Sequence, residues 1–89
     1  MKVNIILFSA ARKAVGSKNL QLDLADAATI NDALVELGRT YGSNFEEAIF
    51  DKNNNHYKMI FSLNSKLSQT DRKLNEGDTL AIFPASGGG

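Results

Sequence analysis

The sequence predicts an α+β domain, with one main helix packed across a mixed sheet of four to five strands. Three observations lead there. Apolar residues alternate with period two in four segments, the period changes to that of an α-helix in a fifth, and the order is strand–strand–helix–strand–strand. A chain of 89 residues has room for one such domain and no second.

The first segment, KVNIILF, puts Val3, Ile5 and Leu7 on one face and Asn4, Ile6 and Phe8 on the other. Its β-branched residues and alternation are those of a strand, and its second face is unusually apolar. SAARKAVG is short, Ala-rich and stopped by Gly16, which predicts a single helical turn leading into a turn. In KNLQLDL, Leu20, Leu22 and Leu24 alternate with Asn19, Gln21 and Asp23, a half-buried strand expected to pair antiparallel with the first. In ADAATINDALVELGRTYG, Ile30, Ala33, Leu34, Leu37 and Tyr41 form one helical stripe. Thr29 is the expected N-cap, Asp32 complements the helix dipole, and Gly42 is the stop. Gly38 inside the run costs about 1 kcal/mol relative to Ala.

SNFEEAIF predicts a short helix with Phe45, Ile49 and Phe50 turned inward, and DKNNNHYK a polar surface loop. KMIFSLN resumes the strand pattern, with Met59, Phe61 and Leu63 opposite Ile60 and Ser62. Gly77 and Asp78 mark a turn before TLAIF, the last strand, which Pro84 ends. KVNIILF and TLAIF are the most continuously apolar runs, which suits neighbouring strands at the centre of the sheet. The expected division is a folded domain over 1–84 and a flexible Gly-rich tail over 85–89.

Composition removes several function classes. The 10 Lys+Arg balance 10 Asp+Glu, so the surplus of cations that drives general nucleic-acid binding or polybasic membrane attachment is missing. Hydrophobic residues at 43% fit a globular chain and exceed what a disordered one carries. No apolar run approaches the roughly 20 residues of a membrane span. The apolar stretch Ile5–Phe8 is too short for a signal peptide and is soon followed by Arg12, so the expected location is cytoplasmic. With 0 cysteines and 1 histidine, disulfides, thiolate catalysis, Cys-based metal sites and His pairs are all excluded.

The most informative feature is the ending, Gly87, Gly88 and Gly89, directly after a strand and the rigid Pro84. Glycine loses the most backbone entropy on ordering, so a packed domain gains nothing from it there. Composition alone supports two readings equally. One is a frayed terminus. The other is a side-chain-free strand that enters a narrow slot and delivers the carboxylate of Gly89 for activation as an acyl-adenylate.

Three patches add a resemblance that spans essentially the whole chain. LFSAARKAVG, SLNSKL and LNEGDTLAIFPASGGG are similar to the ubiquitin-like β-grasp sulfur carriers, above all to the small subunit of molybdopterin synthase. The Gly-Asp turn, apolar strand, Phe-Pro and final Gly-Gly are its most specific part. Two departures are Ala85, where the family has a second proline, and Gly87, where it has a small residue other than glycine.

The resemblance implies a β-grasp fold and a role as a non-enzymatic sulfur carrier, with catalytic residues in the partners. It implies that an adenylyltransferase resembling ubiquitin-activating enzymes adenylates Gly89 with ATP and that sulfur then replaces AMP. It further implies that the thiocarboxylated tail, through Gly87 and Gly88, enters the large subunit of molybdopterin synthase to form a heterodimer. No cofactor is expected to bind this chain stably; ATP belongs to the activating partner. Phe8, Leu67, Phe83 and Pro84 match the family's apolar partner-binding patch, and Arg12 matches an arginine beside it. A core position under a loop is the competing reading for Phe8 and Phe83, with the patch favoured, and Arg12 reads equally as an ordinary solvated charge.

His56, the pairs Glu46–Glu47 and Asp71–Glu76, and the cluster Lys66, Arg72 and Lys73 read as solvated surface groups. Two alternatives stay open: a protein modifier joined through its terminal glycine to lysines, and a β-grasp interaction module with an inert tail. The shorter thiamine-pathway carriers, which share the fold, lack the length seen from Ser43 to Lys58.

Overall fold

A computed structural model describes residues 1–85. Along the chain run β1 (Lys2–Leu7), α1 (Ser9–Val15), β2 (Asn19–Asp23), α2 (Ile30–Tyr41), α3 (Ser43–Ile49), β3 (Phe50–Asp51), β4 (His56–Tyr57), β5 (Met59–Leu63), β6 (Lys66–Leu67) and β7 (Thr79–Pro84). The main sheet has 5 strands in the order β2-β1-β7-β5-β6. The β1–β7 pair is parallel, with Ile5 beside Leu80 and Leu7 beside Ile82. The pairs β1–β2, β5–β7 and β5–β6 are antiparallel. The fold is the ubiquitin-like β-grasp.

Alternation along these strands sorts their side chains onto two faces. Val3, Ile5, Leu7, Leu80, Ile82, Phe61 and Leu63 point toward the helices and are buried, joined by Ile30, Ala33 and Leu37 from α2 and by Phe45 from α3. Each such side chain contributes about 1.5–3 kcal/mol by leaving water. Of the expected helical stripe, Tyr41 alone is exposed, because α2 ends there and the chain turns at Gly42 into α3.

α2 begins with a capping box. Thr29 Oγ1 accepts from the Asp32 amide at 3.2 Å, and Asp32 Oδ2 accepts from the Thr29 amide at 2.8 Å. Gly38 is buried where α3 crosses closely: a Cβ there would lie 2.9 Å from Glu46 Oε2. A Cβ at this position would therefore require the exposed Glu46 side chain to shift, while the backbones of the two helices leave room for it.

Three details differ from expectation. α1 has 7 residues rather than a single turn, because Ala11 is fully buried and packing extends the helix until Gly16, in the left-handed region at φ 85°, caps it. α3, by contrast, is the short helix expected over SNFEEAIF, with Phe45 and Ile49 buried. Pro84 is the last residue of β7 rather than a residue beyond it, and pairs opposite Met59. The polar run after α3 is not all loop: β3 and β4 form a small antiparallel sheet of their own.

Asp51 holds that hairpin. Its carboxylate accepts from the side chain of Asn54 at 2.8 Å and from the amides of Asn53 and Asn54 at 2.9 and 3.2 Å. Phe50, Tyr57 and Phe61 then stack edge to face, at centroid separations of 5.0 and 5.2 Å. The Asn54 side chain and amide are the main causes that hold the Asp51 carboxyl below its usual 3.8, and the nearby His56 adds to them.

Two predictions follow from this geometry. Thr29→Ala is expected to lower stability by about 1 kcal/mol, with Thr29→Ser close to wild type, in urea unfolding. For Asp51 the folded pKa is the lower one, so the unfolded chain binds the proton first as pH falls. The stabilisation is complete above 3.8 and disappears as pH falls through the folded value. Asn54→Ala is expected to return the Asp51 titration, followed by NMR, toward 3.8.

Candidate functional site

The parity that buries Leu7 and Ile82 turns the next residue of each strand outward. Phe8 continues β1 in extended conformation at φ −127°, its amide donating to the Ile82 carbonyl at 3.1 Å. Phe8 and Phe83 meet edge to face at a centroid separation of 6.3 Å. Phe8 is 40% exposed and Phe83 half-buried, so neither is a core residue under a loop. Ile60 lies directly opposite Phe83 across the β5–β7 ladder.

Leu67 reaches the same face from the sheet edge, opposite Ser62, and is 71% exposed. Its strand is placed by a polar clasp. The turn between β5 and β6 uses Asn64 and Ser65 at φ 50° and 71°, left-handed values that asparagine tolerates well. Asn64 Nδ2 donates to Asp78 Oδ1 at 2.9 Å, and Asn64 Oδ1 accepts from the Thr79 amide at 2.9 Å. Asp78 Oδ2 accepts from the Asn75 amide at 2.8 Å, so this nearly buried carboxylate has partners on both oxygens.

The outer face of the sheet thus carries Phe8, Phe83 and Ile60 in one row across the strands and Ile6, Ala81, Ser62 and Leu67 in the next, apolar apart from Ser62. Phe8, Leu67 and Phe83 come from the sequence reading; Ile60, Ile6 and Ala81 were missed as part of the patch. The available signal was strand parity, which places Ile60 opposite in direction to Met59 and Phe61.

Arg12 is exposed on α1, one turn beyond Phe8, whose carbonyl accepts from the Arg12 amide at 3.4 Å. It lines a depression of about 390 Å³ with Ser9, Lys13 and Gly16. On the other side of the patch, Arg72 and Lys73 share a depression of about 590 Å³ with Leu67. Pro84 is half-buried at the end of β7, and the Ala85 amide still donates to the Lys58 carbonyl at 3.2 Å. The backbone is therefore held by the sheet as far as Ala85, beside Phe83. Gly87, Gly88 and Gly89 lie outside the described residues.

The remaining polar candidates do not converge. His56 is exposed, with Nδ1 3.0 Å from the Tyr57 carbonyl and Nε2 3.9 Å from Asp51 Oδ2. Among the described residues, no group of three His, Asp or Glu side chains is placed to hold a metal ion, and no helix is long and apolar enough to cross a membrane.

A five-stranded sheet grasping α2 defines a ubiquitin-like β-grasp protein. The chain belongs to the ThiS family, whose sequence profile matches residues 5–89. No curated protein matches the sequence significantly. Among solved structures, it is similar to SAMP1 from Haloferax volcanii, with 24% identity, TM-score 0.84 and 100% coverage of both chains. It is also similar to a Pyrococcus furiosus protein provisionally named molybdopterin converting factor, subunit 1, with 21% identity, TM-score 0.79 and coverage of 97% of this chain and 99% of that one. A further likeness is to a chain of the BexX/CysO complex from Amycolatopsis orientalis, with 20% identity, TM-score 0.72 and coverage of 98% and 99%. At these identities the likenesses show the fold.

Exposure separates the patch from the core in a measurable way. Leu67→Ser is expected to change unfolding free energy by no more than about 0.5 kcal/mol. Leu80→Ala, at the centre of the core, is expected to cost about 2–5 kcal/mol in the same urea titration.

Proposed function

We propose that this protein is a sulfur carrier for molybdopterin synthesis, working through the carboxylate of Gly89. One observation carries the proposal: β7 sets Phe83 in the outer face, and its backbone, still hydrogen-bonded at Ala85, stands there four residues from Gly89 in the sequence. A partner docked on Phe8, Phe83 and Leu67 would receive the tail directly. Such a patch excludes water and supplies affinity, while the glycines, without side chains, fit a narrow channel. Arg12, at its border, would pair with a carboxylate of that partner.

The chemistry proceeds in three steps. The Gly89 carboxylate attacks the α-phosphate of ATP on an adenylyltransferase partner, releasing pyrophosphate and forming an acyl-adenylate. A sulfur nucleophile then displaces AMP, leaving a C-terminal thiocarboxylate. In the large subunit of molybdopterin synthase, that sulfur attacks an electrophilic carbon of the pterin precursor and displaces the group bonded there; water then cleaves the acyl–sulfur bond, leaving the sulfur on the pterin and returning the tail to a carboxylate. ATP binding and catalysis belong to the partners; the paired end of β7 fixes the backbone as far as Ala85, and Gly87 and Gly88 would carry the carboxylate into the partner's channel. The cytoplasm, where nucleotide is available, is the proposed location.

Support for the pathway comes from the Pyrococcus furiosus likeness and from the segment between α2 and β5, where α3 and the β3–β4 hairpin add length that the shorter carriers lack. A second reading is favoured by the likeness to SAMP1, a small archaeal modifier protein. There the same acyl-adenylate is passed to a lysine amine, forming an isopeptide bond.

Intact-mass analysis of the protein from its native cells separates the two. A sulfur-for-oxygen exchange located by fragmentation to Gly89 is the expected result. Gly89 found joined to lysines of other proteins would establish the modifier reading instead. A terminus that stays unmodified with ATP, an activating enzyme and a sulfur source would overturn both.

A further inference from the structure

Strand β2 forms one edge of the sheet, and among the described residues its one strand partner is β1. The Leu7 amide donates to the Lys18 carbonyl at 2.8 Å and the Leu24 amide to the Met1 carbonyl at 2.9 Å. In an antiparallel ladder, residues that exchange bonds alternate with residues that do not. Lys18, Leu20, Leu22 and Leu24 therefore turn their backbone groups toward β1, and Asn19, Gln21 and Asp23 turn theirs to the open edge. All three are exposed. The strand contains no proline, glycine or lysine, the residues that usually discourage edge pairing.

We propose that this edge is a self-association surface, at which a second copy of the chain pairs antiparallel, β2 to β2, about a two-fold axis at Gln21. This register sets Gln21 against Gln21 of the second copy and Asn19 against Asp23. It is the register in which the outward N–H and C=O groups of all three residues find partners, since each falls in a bond-exchanging pair.

The side chains match as well. Each one keeps its present bond and has a free group for the new neighbour. Gln21 Nε2 donates to Asn4 Oδ1 at 3.2 Å, leaving its second N–H and its Oε1 for the Gln21 amide opposite. Asp23 Oδ1 accepts from Lys2 Nζ at 3.3 Å, leaving Oδ2 for the Asn19 amide opposite. The Asn19 carbonyl accepts from Ser17 Oγ at 2.8 Å and retains a second lone pair for the ladder. Asp23 meets Asn19 rather than another Asp23, so no like charges oppose. On the helix side, half-buried Leu20 meets Leu22, and two partly exposed leucines cover each other. A one-residue slip would oppose Gln21 with Leu20 or Leu22 and lose all of these pairings.

The association is isologous and closed, which gives a dimer rather than a filament. It occupies the edge opposite β6, so Phe83 and Leu67 stay open on both copies and a dimer presents two docking faces and two tails.

The chain has 0 cysteines, so a single introduced thiol reports the register cleanly. Opposed residues of a bond-exchanging pair have Cα atoms about 5.5 Å apart, inside the roughly 4.4–6.8 Å that a disulfide spans. Under mild oxidation of the full chain, Gln21→Cys is expected to cross-link at least about tenfold faster than Val35→Cys, an exposed position on α2, because pairing raises its effective concentration. Asn19→Cys mixed with Asp23→Cys is expected to give the mixed dimer in preference to either homodimer. Gln21→Lys, which opposes two ammonium groups at the axis, is expected to abolish the dimer in sedimentation equilibrium and to match the Tm of the wild-type chain diluted to its monomeric state. Equal cross-linking at positions 21 and 35, or a monomer at millimolar concentration, overturns the proposal, as does capture of an extended peptide at the edge without self-association.

Discussion

The parallel pairing of β1 with β7 is the constraint on which the rest of the molecule depends. Strands at opposite ends of the chain lie side by side at the centre of the sheet, so every intervening element has to fit around them. Two parallel neighbours cannot be joined by a tight turn, and here the connection carries α2 across the inner face. The register does more than assemble a core. With Leu7 beside Ile82 buried, Phe8 and Phe83 share the outer face, at the point where the backbone leaves the sheet. A slip of one residue on β7 would bury Phe83, expose Ile82 and part Phe8 from Phe83.

What was legible in the sequence was what has a period. The alternation in KVNIILF and TLAIF gave the central strands and their faces, and Thr29 with Asp32 marked the start of α2 at the residue where the capping box forms. The β3–β4 hairpin had no such signal. Strands of 2 residues are too short to show alternation, and its turn is held by Asp51 hydrogen bonds and an aromatic contact with Phe61, neither of which a polar Asn-rich run displays. The length of α1 was hidden for a related reason: burial of Ala11 extends it, and that burial comes from packing rather than local propensity.

The apolar surface was legible in part. Phe8, Leu67 and Phe83 could be matched to a family, and parity alone put Phe8 and Phe83 on one face. Ile60 was not assigned to it, because its outward companion on β5 is Ser62 and a lone apolar residue between two polar-facing positions shows no stripe. Only the antiparallel register, which places Ile60 directly beside Phe83, makes it a member of the surface. The depression that Leu67 shares with Arg72 and Lys73 depends likewise on contacts between segments distant in sequence: the Asn64–Asp78 clasp beside Leu67, and the pairing of Arg72 and Lys73 with the start of α2, where the Ile30 amide donates to the Arg72 carbonyl at 3.0 Å.

The sheet offers its surroundings two kinds of contact, and their directions are independent. Side chains project perpendicular to the sheet, and so does any docking on Phe8, Phe83 and Leu67. Ladder hydrogen bonds lie in the plane of the sheet, and so does any pairing at β2. The strand order separates them further: β1 stands between β2 and β7, while Leu67 lies at the far edge. A partner on the outer face therefore meets the same backbone and the same exit of the chain at Ala85, whether or not the β2 edge is occupied. Pairing in the plane would leave the chemistry of each copy unaltered and change only how many tails one particle presents. The consequence lies in valency: two weak docking events on one particle reinforce each other when both sites can be reached together.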